Sequence, residues 1–288
     1  MARSSPVVFF KQSLKSDSFY ADEIINVYLL RPIAACLVWL LYPTRVTPNQ
    51  VTVGAVVVGL CAACFYALGS SMAIMIAGLL VTVKDILDDA DGQLARAKEM
   101  YSRQGRFVDS IGDFIVDIGL FSAITYVVYQ SYPGAETIAY GLCSFVGITL
   151  RVSYHVYYQV SFFHLEDRYK LNRITEEITD ADRTGDQIAL RLQQVFLLIY
   201  GWQDKLIYRL DRWCMRGGLG GNEIKQWYTD RTGLRLSGLL GFGTEFAVLT
   251  ICSLLNQIHL YLLLNLFLMN GIWLLSIIYR RFILARSY

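Results

Sequence analysis

Residues 88–113 read DDADGQLARAKEMYSRQGRFVDSIGD and place six carboxylates in 26 positions. Asp88 and Asp91 stand at i, i+3, and Asp109 and Asp113 at i, i+4, so on helices each pair presents two carboxylates on one face. A short loop makes the two helices neighbours, and four carboxylates then converge. Like charges that close demand protonation or a counter-cation. Oxygen-only ligation, with no His or Cys nearby, favours Mg²⁺, Mn²⁺ or Ca²⁺ over Zn²⁺. A hard divalent ion held by carboxylates keeps positions open for phosphate oxygens, so phosphoryl-group chemistry is the leading expectation. Gly92 and Gly105 let a ligand approach the backbone closely, and Arg96, one turn beyond Gly92, offers a planar donor fork to a diphosphate.

The rest of the chain must position these residues at a membrane. Its 288 residues are 55% apolar and only 17% charged, with a mean hydropathy of +0.39, which argues against a soluble class. Apolar runs at 51–69, 71–87, 108–130, 136–161, 237–255 and 259–278 each approach the roughly 20 residues a spanning helix needs. The stretch 33–43, between Pro32 and Pro43, is too short and reads as an interfacial or re-entrant piece. The expected fold is an all-α polytopic membrane protein with six transmembrane helices. Residues 1–50 form an N-terminal amphipathic and interfacial segment, 51–161 the first four spans, 162–236 a cytoplasmic interfacial insertion, and 237–288 the last two spans with the tail.

Within the insertion, Ile199, Trp202, Leu206, Leu210 and Trp213 recur at helical spacing, so 188–216 reads as a helix lying on the membrane surface. The GGLGG run at 217–221 follows no strand and reads as a connector. Cys61 and Cys64 form a C-x-x-C inside an apolar helix with no second pair, and read as small core residues. Lys11, Lys15, Asp17, Asp22 and Glu23 interrupt any signal-peptide pattern. The turns near 70, 131–135 and 256–258 hold no Lys or Arg, whereas the opposite side is rich in both. The positive-inside rule then puts both termini and the acidic stretch in the cytoplasm.

Taken alone, 88–113 could be a solvated loop. Its spacing argues otherwise: eight fixed positions of these types arise by chance roughly once in 10¹⁰ starting points. Asp88, Asp91, Gly92, Ala95, Arg96, Gly105, Asp109 and Asp113 match the signature of the CDP-alcohol phosphotransferase (CDP-alcohol phosphatidyltransferase) family. The chain also resembles that family in its Thr47-Pro48-Asn49 turn and its six-span plan.

The resemblance implies a metal-dependent transfer of a phospho-alcohol group from a CDP-linked donor to an acceptor hydroxyl, with release of CMP, in phospholipid synthesis. Two divalent cations, Mg²⁺ or Mn²⁺, would be held by Asp88, Asp91, Asp109 and Asp113, with Asp113 also the general base. Gly92, Ala95, Arg96, Ser102 and Gly105 resemble the cytidine-diphosphate site, capped by Thr47, Pro48, Asn49 and Gln50. Displacement would be direct, since no Ser-His-Asp set is present and His155, His164 and His259 are dispersed.

Members that make inositol phospholipids carry a Lys-x-Arg pair late in the fourth span, where this chain reads RVSYHVYYQV. The first-choice donor is CDP-diacylglycerol with a small alcohol acceptor, and the alternative is a CDP-linked head group with a diacylglycerol acceptor. A cation transporter and a catalytically dead scaffold are the readings from other classes. The expected partners are membrane lipid and the CDP-alcohol substrate, not nucleic acid, and a homodimer is compatible with the resemblance.

Asp117 continues the Asp109–Asp113 stripe one turn deeper, and Lys84 and Arg151 fall at a comparable depth. A carboxylate there needs a partner, so Asp117 is expected to pair with Lys84 or Arg151. Acceptor binding by Lys84, Asp117 and Arg151 is the functional alternative. Asp89 and Glu99 lie outside the signature and read as solvated.

Overall fold

A computed structural model describes residues 20–100, 102–165, 176–215 and 220–286, and among them all regular structure is helical. Residues 217–219 of the connector expected at 217–221, and the first 19 residues of the amphipathic segment, lie outside the described residues. The first helix among the described residues, α1 (Asn26–Leu41), runs through Pro32. Pro32 therefore does not bound the apolar piece as the sequence suggested. The turn before it, Asn26–Leu30, is wound as a π-helix, and the proline falls in the first turn of the α-helical part, where a missing N–H is least costly.

Thr47 opens α2 (Pro48–Leu68) with a capping box. Its hydroxyl accepts from the Gln50 amide at 3.4 Å, and the Gln50 side chain accepts from the Thr47 amide at 3.0 Å. The helix ends on Gly69 at φ +70°, a left-handed conformation that glycine adopts without a Cβ clash. Ser70 then caps α3 (Ser71–Ala97), accepting from the Ala73 amide at 3.3 Å, so α2 and α3 form a tight antiparallel hairpin. Ser102 caps α4 (Arg103–Ser131) in the same way, and α5 (Ala135–Leu165) follows.

Beyond these come the short α6 (Asp180–Thr184), the long α7 (Gln187–Cys214), α8 (Gly221–Thr229), α9 (Arg231–Gly238) and α10 (Phe242–Leu254). The last helix, α11 (Ile258–Ile283), contains two π-wound turns, Leu264–Met269 and Tyr279–Ile283. Side chains such as Val81, Val116, Leu120, Ile148, Leu249 and Tyr261 form the main apolar core among α3, α4, α5, α10 and α11.

Four helices, α2, α4, α5 and α11, are long and apolar enough to cross a membrane, and α9 with α10, bent by 40° at their junction, would make a fifth. The chain is accordingly a multi-pass helical membrane protein. The expected span at 71–87 falls on α3, which at 27 residues is long enough but carries Lys84, Asp85 and Asp88 within its apolar part. Composition alone does not qualify it, because the site is built into the helix. Cys61 and Cys64 are exposed on the outer surface of α2 and are not core residues, a correction to the sequence reading. In α7 the apolar residues Leu198, Trp202, Leu206 and Trp213 point outward, while Phe196, Gln203, Ile207 and Asp211 are buried against the bundle.

Candidate active site

The second half of α3 carries Lys84, Asp85, Asp88 and Asp91, and the facing half of α4 carries Asp109, Asp113 and Asp117. Ligand oxygens of Asp88, Asp91 and Asp109 all lie within 4.8 Å of one another. The Thr52 hydroxyl of α2 donates to Asp91 Oδ2 at 2.5 Å. Asp109 Oδ1 is buried and has no hydrogen-bond partner among the described residues. Asp113, one turn deeper, is held by Lys84, whose Nζ sits 2.5 Å from Asp113 Oδ1, 3.8 Å from Asp88 Oδ1 and 4.0 Å from Asp85 Oδ1. Lys84 is itself buried, 5.8 and 5.9 Å from the ring centroids of Phe246 and Phe242.

One ammonium cannot balance that many carboxylates, and an unmet buried oxygen is costly. The oxygen-only donor set and the orphaned Asp109 oxygen fit a hard divalent cation. Asp88, Asp91 and Asp109 are the residues that would hold it.

On the outer side of the cluster, Ser102 Oγ accepts from the Gly105 amide at 2.8 Å. A Cβ on Gly105 would lie 2.8 Å from Asn49 Oδ1 and 2.7 Å from Ser102 Oγ, so only glycine lets the 47–50 turn close onto the head of α4. Arg96 folds back over Gly92, with Nη1 3.5 Å from where a Cβ would sit. The Ala95 carbonyl accepts from the Met100 amide at 2.9 Å and closes the end of α3. Lys98 Nζ donates to the carbonyls of Thr44 and Val46 at 2.9 and 2.7 Å, which ties the approach to the 47–50 turn to the same place.

Three expectations are corrected. Asp117 pairs with neither cation: Lys84 is committed to Asp113, and the guanidinium of Arg151 lies 2.8 Å from Glu245 Oε2. Arg151 is fully buried, donating also to Asn270 Oδ1 at 2.6 Å and to the Asn265 carbonyl in the π-wound turn at 3.2 Å, so it is not part of the cavity wall. Asp89 is only partly solvated. It lies 4.0 Å from Arg31 Nε, and its Oδ2 is buried without a hydrogen bond.

Beside Asp113 opens a cavity of about 330 Å³ between α4, α5 and α7. Its polar lining is Arg106, Ser110, Asp113, Asp117, Thr149, Ser153 and Tyr200, and the remainder is Val and Phe. The insertion thus contributes a wall: Tyr200 of α7 donates to the Ser110 carbonyl at 2.7 Å, and the rings of Phe196 and Phe107 lie 5.2 Å apart. At its mouth, Arg106 and Arg103 both pair with Glu176, and Arg103 also pairs with Asp182.

Sequence reasoning missed Thr52, Arg106 and Glu245. Glu245 alone left a signal, as an acidic residue inside the apolar run 237–255.

Fold and site together define a multi-pass helical membrane protein with an acidic oxygen-ligand site between two of its helices. The sequence model of the CDP-alcohol phosphatidyltransferase family matches residues 45–210, more than half of the chain, and the chain belongs to that family. The match runs through the first part of the insertion and stops before α8. Among curated relatives, a protein named bifunctional IPC transferase and DIPP synthase from Archaeoglobus fulgidus is 40% identical over 123 residues, covering 43% of this chain and 22% of that protein. Proteins of the same name from Thermococcus kodakarensis and Aquifex aeolicus are 36% and 34% identical over 105 and 80 residues, covering 36% and 28% of this chain and 23% and 18% of their own lengths. The alignments thus span about a fifth of the length of these relatives.

Proposed function

We propose that the protein transfers a phosphatidyl group from CDP-diacylglycerol to the hydroxyl of a small alcohol, releasing CMP. The observation that carries this reading is the convergence of Asp88, Asp91 and Asp109 next to Asp113, at the edge of a cavity of about 330 Å³. That volume is at the small end of ligand sites and suits a compact acceptor better than a diacylglycerol.

Asp88, Asp91 and Asp109 would hold the divalent cations, Mg²⁺ or Mn²⁺, with Asp113 completing the set. When bound, such ions neutralise diphosphate charge and stabilise attacking and leaving oxygens. The chain's own residues do the rest. Arg96 and the glycine-lined surface at Gly92 and Gly105 receive the cytidine diphosphate, with Thr47, Pro48, Asn49, Gln50, Ala95 and Ser102 framing that surface. Asp113 takes the proton of the acceptor hydroxyl, and Lys84, with Nζ 2.5 Å from Asp113 Oδ1, holds that carboxyl in place. The new P–O bond forms as the bond to the CMP oxygen breaks, with no covalent enzyme intermediate. The distribution of Lys and Arg supports both termini and the site lying on the cytoplasmic side, and counting α3 as a further span gives the even number that this orientation needs. The outward apolar stripe of α7 is suited to the membrane surface.

The test uses purified protein in lipid nanodiscs with Mg²⁺ or Mn²⁺ and a panel of CDP-linked donors, with CMP release and product mass as readouts. CMP release from CDP-diacylglycerol that stops on chelation supports the reading. Release only from a CDP-linked head group in the presence of diacylglycerol would reverse the roles of donor and acceptor. Cation flux with no CMP from any donor would return the protein to the transporter class.

A further inference from the structure

Asp117 poses a physical problem that the proposed chemistry leaves unsolved. It lies one turn below Asp113 on α4, is 3% exposed, and forms part of the cavity wall. Among the described residues no side chain or backbone group donates to its carboxyl, and no cation pairs with it. The nearby groups that could have served are engaged elsewhere. Lys84 is on Asp113, Arg151 is on Glu245 and Asn270, Arg106 is on Glu176, Thr149 donates to the Val146 carbonyl at 2.9 Å, Ser153 to Gln203 Oε1 at 2.5 Å, and Tyr200 to the Ser110 carbonyl.

A buried carboxyl left without a donor costs about 1–3 kcal/mol or more, so a protein retains one where a ligand supplies the missing donor. Its cavity is the one onto which Asp113 opens. Carboxyls at i and i+4 are separated by about 6 Å along the helix, a span a compact bifunctional molecule bridges.

We propose that Asp117 is a specificity-determining residue that receives a second hydrogen-bond donor of the acceptor, selecting small alcohols with a further hydroxyl or an ammonium group over monofunctional alcohols. The proposal rests on the reading of this cavity as the acceptor site. Asp117 takes no part in bond making. It orients the acceptor so that the reacting hydroxyl, at the other end of the molecule, points to Asp113. A site built to hydrogen-bond a substrate group rejects the analogue lacking it, because the buried partner is then left unmet. A hydroxyl and an ammonium both fill this role, and they differ in one respect: only the ammonium also neutralises an ionised carboxylate.

The experiment compares wild type, Asp117→Asn and Asp117→Leu in nanodiscs. The acceptors are polyols, amino alcohols and monofunctional alcohols of similar size, with kcat and KM determined separately for acceptor and donor. Wild type is expected to favour bifunctional acceptors, and Asp117→Leu to cut that preference about tenfold to a hundredfold through acceptor KM, with donor KM unchanged. Asp117→Asn keeps a carbonyl oxygen. If the second donor is a hydroxyl, this variant retains most of the preference, and if it is an ammonium, the variant loses it.

Calorimetric binding of the same alcohols without donor gives an independent arm. If no CDP-linked donor yields CMP, the reaction assignment fails, but tighter binding of bifunctional alcohols to wild type than to Asp117→Leu still supports the selector. Equal preference in wild type and both variants, or a change confined to donor KM, overturns it. Thermal unfolding of each variant guards against misfolding, and should Asp117→Leu not fold, Asp117→Ala, which likewise keeps no acceptor, takes its place in the comparison.

Discussion

Asp211 and Asp109 both carry carboxylate oxygens shut off from solvent, yet Asp211 receives four hydrogen bonds, whereas Asp109 keeps a buried oxygen with none. Around Asp211 each oxygen takes two donors. Oδ1 accepts from Tyr158 at 2.6 Å and Trp227 Nε1 at 2.9 Å, and Oδ2 from Tyr157 at 3.0 Å and Tyr228 at 2.7 Å. Those donors come from α5 and α8, so the carboxylate of α7 staples the insertion to the bundle. Arg280 stacks on Tyr158, 3.5 Å from its ring centroid, and encloses the staple from α11. The site between α3 and α4 is the reverse case, with surplus acceptors and one ammonium. Structural burial of a charge fills every lone pair from fixed neighbours, and a binding site leaves that valence for a ligand.

The largest expected effect breaks the comparison by function. Asp113→Asn should lower CMP release about 10³-fold, the scale of losing a positioned base, without lowering the unfolding temperature. Measured with CDP-diacylglycerol and saturating Mg²⁺, wild-type turnover in that variant would remove Asp113 from the base role. Asp211 lies outside the proposed machinery, so Asp211→Asn should lower stability more than turnover.

The next effect separates the two regions by stability. Asp211→Ala strands three tyrosine hydroxyls and an indole N–H, and should cost about 3–5 kcal/mol, as removing one partner of a buried polar network does. Asp91→Asn should cost far less in the absence of divalent ions, because relief of repulsion with Asp88 and Asp109 offsets the weakened Thr52 contact. Added Mg²⁺ should raise the unfolding temperature of wild type and of Asp211→Ala but not that of Asp91→Asn. Chemical denaturation for the free energies and thermal unfolding for the Mg²⁺ response, in one detergent, read all three proteins, and equal losses from Asp211→Ala and Asp91→Asn would erase the distinction.

How much of this was legible in the sequence depends on whether the determinant was local. The signature residues were readable because two helical spacings and a short loop dictate that Asp88, Asp91 and Asp109 meet, and the capping box at Thr47 is visible as T-P-N-Q. Contacts between distant segments were not. Thr52 on Asp91, Glu245 on Arg151, and the four donors on Asp211 depend on how α2, α5, α8 and α10 pack, which periodicity does not encode. Asp117 shows the limit most clearly. Its depth was correct, but the rule that a buried carboxylate finds a protein partner failed, since Glu245 from a helix 94 residues further on took Arg151. The outward stripe of α7 was read as one apolar face, whereas its buried face is partly polar, with Gln193, Gln203 and Asp211.

Glu23 lies between the two extremes and gives the smallest expected effect. It precedes α1, is buried where α9 bends into α10, and accepts from the Thr244 amide at 3.0 Å, capping a helix whose N-cap residue, Gly241, has no side chain to do so. Burial pushes its carboxyl up to about 8, with Asp89 adding to the rise, while the Thr244 amide and Arg31 pull the other way. His155 Nε2, at 3.9 Å, and Asn26 complete its surroundings. The folded protein therefore holds a proton on Glu23 that the unfolded chain releases near 4.5, so the contribution of Glu23 to stability is fully present below about 4.5 and is lost as pH rises toward 8. The slope is at most about 1.4 kcal/mol per pH unit for a single group. Glu23→Gln keeps an oxygen for the Thr244 amide and cannot ionise, so its unfolding temperature should lose that part of the decline between pH 6 and 8. Parallel pH profiles for the two proteins would show that Glu23 is already ionised and fully satisfied, and would move it to the side of Asp211.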